Sequence, residues 1–440
     1  MGVLRVSIRP PMELPPITRR QRWAFALAAT FTMTISYVDR QTLAVLAPRV
    51  TAELGIDEIR FGFLLSAFSV AYLIGAPLSG FWIDRVGARR GLLAAVCAWT
   101  VVAALHTVAP SFAVLLALRV ALGFAESPSF PGAAQTVQRA LLPEDRARGL
   151  GVLFTGSSIG AMIAPPLATA IMAAVGWRMA FLGTALAGLV WVPVWLAVAW
   201  TSRGVALLDP RPADSLPPPG ETPGGAPFRA AGRFPGIGPL LGNPALWRAL
   251  LLVVASAPAI SFVILWSSKF LVRTYGLSPV EVGRYLWIPP LCYDLGSVLF
   301  GDLSSRRARR SGFDGSPDRG LVAVAACLTV CIALMPRMAT PAAAMAVASL
   351  GLVGGAGLYA MLTNDLFARI APTHVSTGGG FCAMAQSLAI IVAMPLVGAS
   401  VQAQGNYRRA ALYLGLWALP GAAAWILWRP PAAHPTTVPA

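Results

Sequence analysis

Long apolar runs alternate with short polar segments along the whole chain. Twelve of these runs approach or exceed the roughly 20 residues a helix needs to cross a hydrocarbon core of about 30 Å. They fall near 23–47, 61–83, 91–109, 112–135, 149–174, 179–199, 246–271, 281–302, 320–337, 341–367, 377–401 and 409–428. A backbone in lipid must satisfy its own polar groups, so each run is expected to be α-helical. The stretch 202–243 breaks the pattern. It is dense in Pro and Gly, carries Arg203, Arg211, Arg229 and Arg233, and has no periodicity, which predicts a flexible linker. Six spans lie on either side of it.

The pattern predicts an all-α membrane protein with 12 transmembrane helices in two six-helix pseudo-repeat bundles. The expected boundaries are an N-terminal segment 1–22, a first bundle 23–201, a linker 202–245, a second bundle 246–428 and a tail 429–440. Composition agrees. Of the 440 residues 56% are hydrophobic and 12% charged, and mean hydropathy is +0.67. A soluble domain has too many water-facing positions for that balance.

A formal net charge of +16 would, in a soluble chain, suggest nucleic acid. Here the basic residues are arginines in the segments between spans, and Lys269 is the only lysine. They cluster in alternate loops: Arg85, Arg89 and Arg90; Arg139, Arg146 and Arg148; Arg306, Arg307, Arg309 and Arg310. Arg408 and Arg409 are the exception. The positive-inside rule then puts both termini and the linker in the cytoplasm of a multi-pass protein of the bacterial inner membrane, with no nucleic-acid role. The first run outlasts a signal peptide and embeds Asp39 and Arg40, so it is expected to remain as an uncleaved span. Cys97, Cys292, Cys327, Cys331 and Cys382 sit within apolar runs and show no metal or disulfide spacing. No nucleophile with a base, phosphate loop or metal cluster is present. His106 stands near a span end, and His374 and His434 fall in loop or tail. An enzyme and a bound cofactor are not expected.

Between spans two and three the chain reads Gly80-Phe-Trp-Ile-Asp84-Arg85-Val-Gly87-Ala-Arg89-Arg90, and after span eight Gly301-Asp-Leu-Ser-Ser305-Arg306-Arg307-Ala-Arg309-Arg310. A small Gly80 permits close helix approach. Asp84 suits an arginine or a helix N-terminus. Gly80, Asp84, Arg85, Arg89 and Arg90 thus form a candidate conformational latch. With this motif the chain resembles the major facilitator superfamily over nearly its whole length.

Within it the likeness is to the anion:cation symporter family and its hexuronate, galactonate and glucarate branch. It rests on Tyr37-Val-Asp39-Arg40-Gln41-Thr42-Leu43, Ala71-Tyr72, Arg119-x-x-x-Gly123-x-x-Glu126, Ala164-Pro165-Pro166-Leu167 and Gly176-Trp177-Arg178. In the second half it rests on Lys269-Phe-Leu, Asp294-Leu-Gly-Ser297 and Asn364-Asp365-Leu-Phe367. The resemblance implies a monomeric secondary transporter that moves a small organic anion together with protons across the bilayer.

A charge at mid-bilayer costs on the order of 2.5–3.5 kcal/mol, so Asp39, Arg40, Arg119 and Glu126 need a purpose. Arg119 and Glu126, two turns apart, share a helix face. By resemblance Asp39 and Glu126, with Arg119, are the proton-coupling set and Arg40 the ligand of the substrate carboxylate, whose shape its planar fork matches. A static, charge-compensated network is the alternative. Tyr37, Tyr72, Lys269, Ser157, Asn364 and Gln386 are further candidates for the substrate. Asp294 is expected to pack against Lys269 or a backbone donor, and Asp365 and Arg369 to be structural. Ser157 and Ser158 stand where a longer amide would suit a sugar, which leaves an aromatic or other carboxylate as a second substrate class. A proton-coupled exporter would favour a G-x-x-x-G-P run in span five, whereas Gly156-x-x-x-Gly160 is followed here by Ala161.

Overall fold

The computed structural model describes residues 17–209, 237–310, 319–370 and 375–428. Residues 1–16, most of the linker, His374, His434 and the 429–440 tail lie outside them. Throughout the described residues the chain is helical. The first bundle holds α1 (Arg19–Glu53), α2 (Glu58–Val86), α3 (Ala88–Leu105), α4 (Phe112–Glu126), α5 (Ser129–Ala140), α6 (Pro143–Val175), α7 (Trp177–Gly188) and α8 (Trp191–Ala199). Two short helices, α9 (Ser202–Leu208) and α10 (Ile237–Leu241), flank the linker. The second bundle holds α11 (Pro244–Tyr275), α12 (Pro279–Leu286), α13 (Ile288–Arg310), α14 (Arg319–Val330), α15 (Pro341–Arg369), α16 (Val375–Gln404) and α17 (Arg408–Leu427).

Three expected spans are broken helices. The fourth is α4 and α5, interrupted at Ser127–Pro128 where proline lacks the N–H that would continue the ladder. The sixth is α7 with α8, and the eighth is α12 with α13. Among the described residues, ten helical segments are long and apolar enough to cross a membrane. The first and eighth spans fall short of that measure because polar residues, Asp39 and Arg40 dilute α1, while Asp294, Asp302 and two prolines dilute α13.

Boundaries differ where local chemistry decides them. The first helix starts at Arg19, before the expected 23, because Thr18 and Gln21 form a capping box. The linker is not structureless at its edges. Thr201 caps α9, Arg139 bonds the carbonyls of Leu208 and Asp209, and Asn243 caps α11. Gly87 adopts φ +85 between α2 and α3, a left-handed turn that suits glycine and explains its place in the charged motif.

The two bundles meet through α1 and α11, α2 and α16, and α6 with α12–α13, three pairings related by the pseudo-repeat. All cluster at the end of the bundles away from the arginine-rich loops. There an apolar core runs across both halves, including Leu46, Phe61, Trp266, Phe270 and Met394. Phe61 meets Trp266 edge to face at 5.0 Å. Glycines let backbones touch: a side chain at Gly62 would strike the Met394 carbonyl, and one at Gly398 the Glu58 carbonyl. Within the first bundle Gly156 and Gly160 do the same for α6 against α1, at Thr30 and Thr34. Large apolar side chains such as Leu78, Val298 and Leu396 remain on the outer surface, as lipid requires.

Candidate functional site

Helix geometry places Asp39 and Arg40 about 100° apart, so neighbours in sequence serve different surroundings. Arg40 turns toward α2 and α4. Its Nε donates to Glu126 Oε2 at 2.7 Å, and Ser36 Oγ donates to the same oxygen at 2.7 Å. Glu126 is fully buried and is the last residue of α4, at the break before Pro128. Three rings surround the guanidinium: Tyr72 at 4.4 Å, Tyr37 at 4.9 Å and Phe68 at 5.0 Å from its central carbon. Tyr72 stacks on Phe68, which holds that wall flat. Arg40 Nη2 and Glu126 Oε1 have no hydrogen-bond partner among the described residues, so the pair keeps donor and acceptor capacity for exchange.

Asp39 turns the other way. It is buried, and among the described residues neither carboxylate oxygen accepts a hydrogen bond. It lines a narrow enclosed gap with His106, Arg119, Leu122, Phe181 and Thr184. Arg119 lies 4.9 Å from the Phe68 ring, on which Arg40 also packs. Its Nε and Nη1 have no acceptor among the described residues. Among the described residues, the one direct bond within this set of four charged groups is that between Arg40 and Glu126.

The sequence candidates therefore divide. Asp39, Arg40, Arg119, Glu126, Tyr37 and Tyr72 come together. Ser157 is half-buried on α6 beside Ser158, which donates to Asp294 Oδ1 across the bundle interface at 2.6 Å. That replaces the expected Asp294–Lys269 contact. Gln386 is half-buried on α16 and Asn364 exposed on α15. Lys269 is not with Arg40: it pairs with Glu58 at 2.5 Å, over the Phe61 ring, where α2 and α11 seal the halves. Arg273 joins the same carboxylate at 3.3 Å. Asp365, expected to be structural, is held by Arg248 at 2.6 Å and Arg369 at 2.9 Å.

The latch also differs from expectation. Gly80 has open space where a side chain would stand, so it makes no close approach in this conformation. Asp84 accepts from the Gln135 amide at 2.7 Å, and Gln135 in turn accepts from Ala88 N at the start of α3. Arg85 and Arg90 are exposed. Arg89 forks onto Asp209 at 2.7 and 2.6 Å and packs on Trp200. That guanidinium, with Arg90 and Arg139 nearby, holds the Asp209 carboxyl below its ordinary value.

Sequence reasoning missed three groups. His106 carries no motif. Tyr293 and Tyr359 of the second bundle stand within electrostatic reach of Tyr37. Their only sequence signal was polarity inside apolar runs. Among the described residues no cluster of His, Cys, Asp or Glu suits a metal ion.

The family model described as Major Facilitator Superfamily matches residues 29–369. The hexuronate transporter of Escherichia coli K12 is 26% identical over 382 residues, covering 86% of this chain and 87% of that protein. The D-galactonate transporter of Escherichia coli O6:H1 is 26% identical over 413 residues, covering 93% and 95%. Among solved structures, a bacterial homolog of the human lysosomal transporter Spinster, in an inward-facing and unoccupied conformation, superposes with a TM-score of 0.75 at 18% identity. That match covers 93% of this chain and 97% of the other, and supports the fold.

Proposed function

Because the chain belongs to the Major Facilitator Superfamily, we propose that it imports a small organic anion, a sugar acid such as a hexuronate or aldonate, by proton symport with alternating access. As a superfamily member it is a multi-pass membrane transporter and not an enzyme. Its relatives named as hexuronate and D-galactonate transporters support the anion class.

The observation that carries the reading is the Arg40–Glu126 bond beside an unpartnered Asp39. A guanidinium held by an internal carboxylate is unavailable to an external one. Protonating Glu126 removes its charge and weakens that hold, so Arg40 turns to the substrate carboxylate. Tyr37 and Tyr72 border the same guanidinium and offer hydroxyls to a polyol. Binding of anion and proton is thereby linked, which is what symport requires. Asp39, with Arg119 near it, is the second proton site. A monoanion carried with two protons moves one net charge and gains about 2.3 kcal/mol per 100 mV of inside-negative potential.

In this scheme the arginine-rich end is cytoplasmic, and the Glu58–Lys269 pair and the shared apolar core close the opposite end. The protein acts as a monomer, since each chain carries a whole site.

The test is uptake by purified protein in proteoliposomes across a panel of hexuronates, aldonates and aromatic acids, with pH gradient and voltage varied separately. Stimulation of a sugar acid by an inward proton gradient is expected. No stimulation of any acid would remove the symport reading. An aromatic carboxylate is a second reading, favoured by Tyr37 and Tyr72 packed on the Arg40 guanidinium, with Tyr293 and Tyr359 of the second bundle near Tyr37. Preference for aromatic acids over galacturonate would select it.

A further inference from the structure

Resting on the symport reading, we infer that His106 relays protons between Asp39 and the arginine-poor face, along a route inside the first bundle that is separate from the substrate path.

Chain direction fixes the position of the imidazole. The helix α3 leaves the arginine-rich end at Ala88, and His106 opens the single turn His106–Val108 at its far end. The residue is 1% exposed and packs flat on Phe181, ring centroids 5.2 Å apart. Its Nδ1 lies 2.9 Å from the Val102 carbonyl. A carbonyl only accepts, so Nδ1 carries the hydrogen and the neutral ring keeps its lone pair on Nε2. That nitrogen is buried and has no hydrogen-bond partner among the described residues.

The charged groups facing the imidazole are Asp39 from α1 and Arg119 from α4; α7 contributes Phe181 and Thr184. Three side chains from three elements thus bring unused hydrogen-bonding atoms to one gap. Just past the turn, Arg178 of α7 donates to the Ala109 carbonyl at 3.1 Å and pairs with Glu53 at 3.2 Å, both side chains being substantially exposed and forming a rim at this end of the bundle.

The substrate path closes elsewhere, through Phe61, Trp266 and the Glu58–Lys269 pair. A proton arriving at the rim binds Nε2 and makes the imidazolium. It then passes to the Asp39 carboxylate, and the ring returns to its Nδ1–H form. Asp39 can in this way be charged from the outer face while the seam between the halves stays shut.

The experiment compares wild type, His106→Asn and His106→Gln, each full length in proteoliposomes, using radiolabelled galacturonate in two modes. Gradient-driven uptake requires Asp39 to take up and release a proton in every cycle, whereas counterflow with substrate on both sides does not. We expect uptake at least tenfold slower in both variants, with a shifted pH profile and counterflow within twofold of wild type. Equal loss of both modes would assign His106 to packing and overturn the relay. Wild-type uptake and pH profile in either variant would overturn it as well.

A measurement without substrate covers the case where galacturonate is not carried. The chain has 3 histidines, so the His106 nitrogen resonances are assigned by difference with His106→Asn in nanodiscs. The Nδ1–H tautomer is expected, with a titration that shifts in Asp39→Asn. An Nε2–H tautomer, or a titration indifferent to Asp39, would sink the inference. Wild type without any proton-stimulated uptake would instead reject the symport reading.

Discussion

Replacing Glu126 with glutamine keeps an oxygen to accept from Arg40 Nε and Ser36 Oγ but removes the charge. Both bonds are 2.7 Å and enclosed. Hydrogen bonds to a charged group contribute about 1.5–3 kcal/mol, with an Arg–carboxylate pair near the upper end and an Arg–amide bond, charged on one side only, near the lower end. The guanidinium is therefore held about 1–1.5 kcal/mol less tightly, close to one power of ten in the competition for an external carboxylate. Glu126→Gln should bind the transported acid about tenfold more tightly than wild type where Glu126 is ionised. Its affinity should vary little with pH, and gradient-driven uptake should be lost while counterflow persists. Calorimetric binding at pH 6 and 8, with proteoliposome uptake alongside, measures each part. Fully proton-driven uptake by this variant would refute the reasoning, as would an unchanged pH dependence of binding.

Arg40→Lys keeps the charge but loses the planar fork, so kcat/KM should fall at least tenfold with little change in Tm; a wild-type KM would deny Arg40 the carboxylate. Glu58→Gln leaves the buried Lys269 cation without its partner, a loss of about 3–5 kcal/mol for such pairs, and should depopulate the sealed conformation. Spin-label distances across that end would report an unchanged distribution if the pair is incidental. Gly160→Ala sets a methyl against the Thr34 carbonyl and Tyr37, and should lower stability by about 1–3 kcal/mol, read as Tm in detergent. Asp209 has a carboxyl held below its ordinary value by Arg89, so its contribution is full above about pH 4 and declines as pH falls through the lower folded value. Asp209→Asn should flatten the acid side of the Tm–pH curve, and an identical curve would exclude Arg89–Asp209 as a stabilising clamp.

Reading the residues in order recovers much of this molecule. Span positions follow from the free energy of moving short segments out of water, a property each segment carries by itself. Asp39, Arg40, Arg119 and Glu126 declare themselves because a charge in an apolar run is costly wherever the helix docks. Even the seven-residue spacing of Arg119 and Glu126 needs only the helical period.

Partner choice is another matter. It depends on how each helix is rotated and how closely it approaches its neighbours, and that is settled by distant residues. Lys269 finds Glu58, 211 positions away in sequence, because Gly62 and Gly398 let α2 and α16 touch beside α11. Arg89 finds Asp209 where Arg139 fastens the end of α9. Ser158 takes Asp294, and Asp84 takes Gln135. Nothing local distinguishes His106 from a histidine at a span end until α1, α4 and α7 close around it. The sequence by itself determined which groups had to be buried and at what depth. The tertiary structure decided which of them meet, because contacts between helices are set by the packing of the whole bundle.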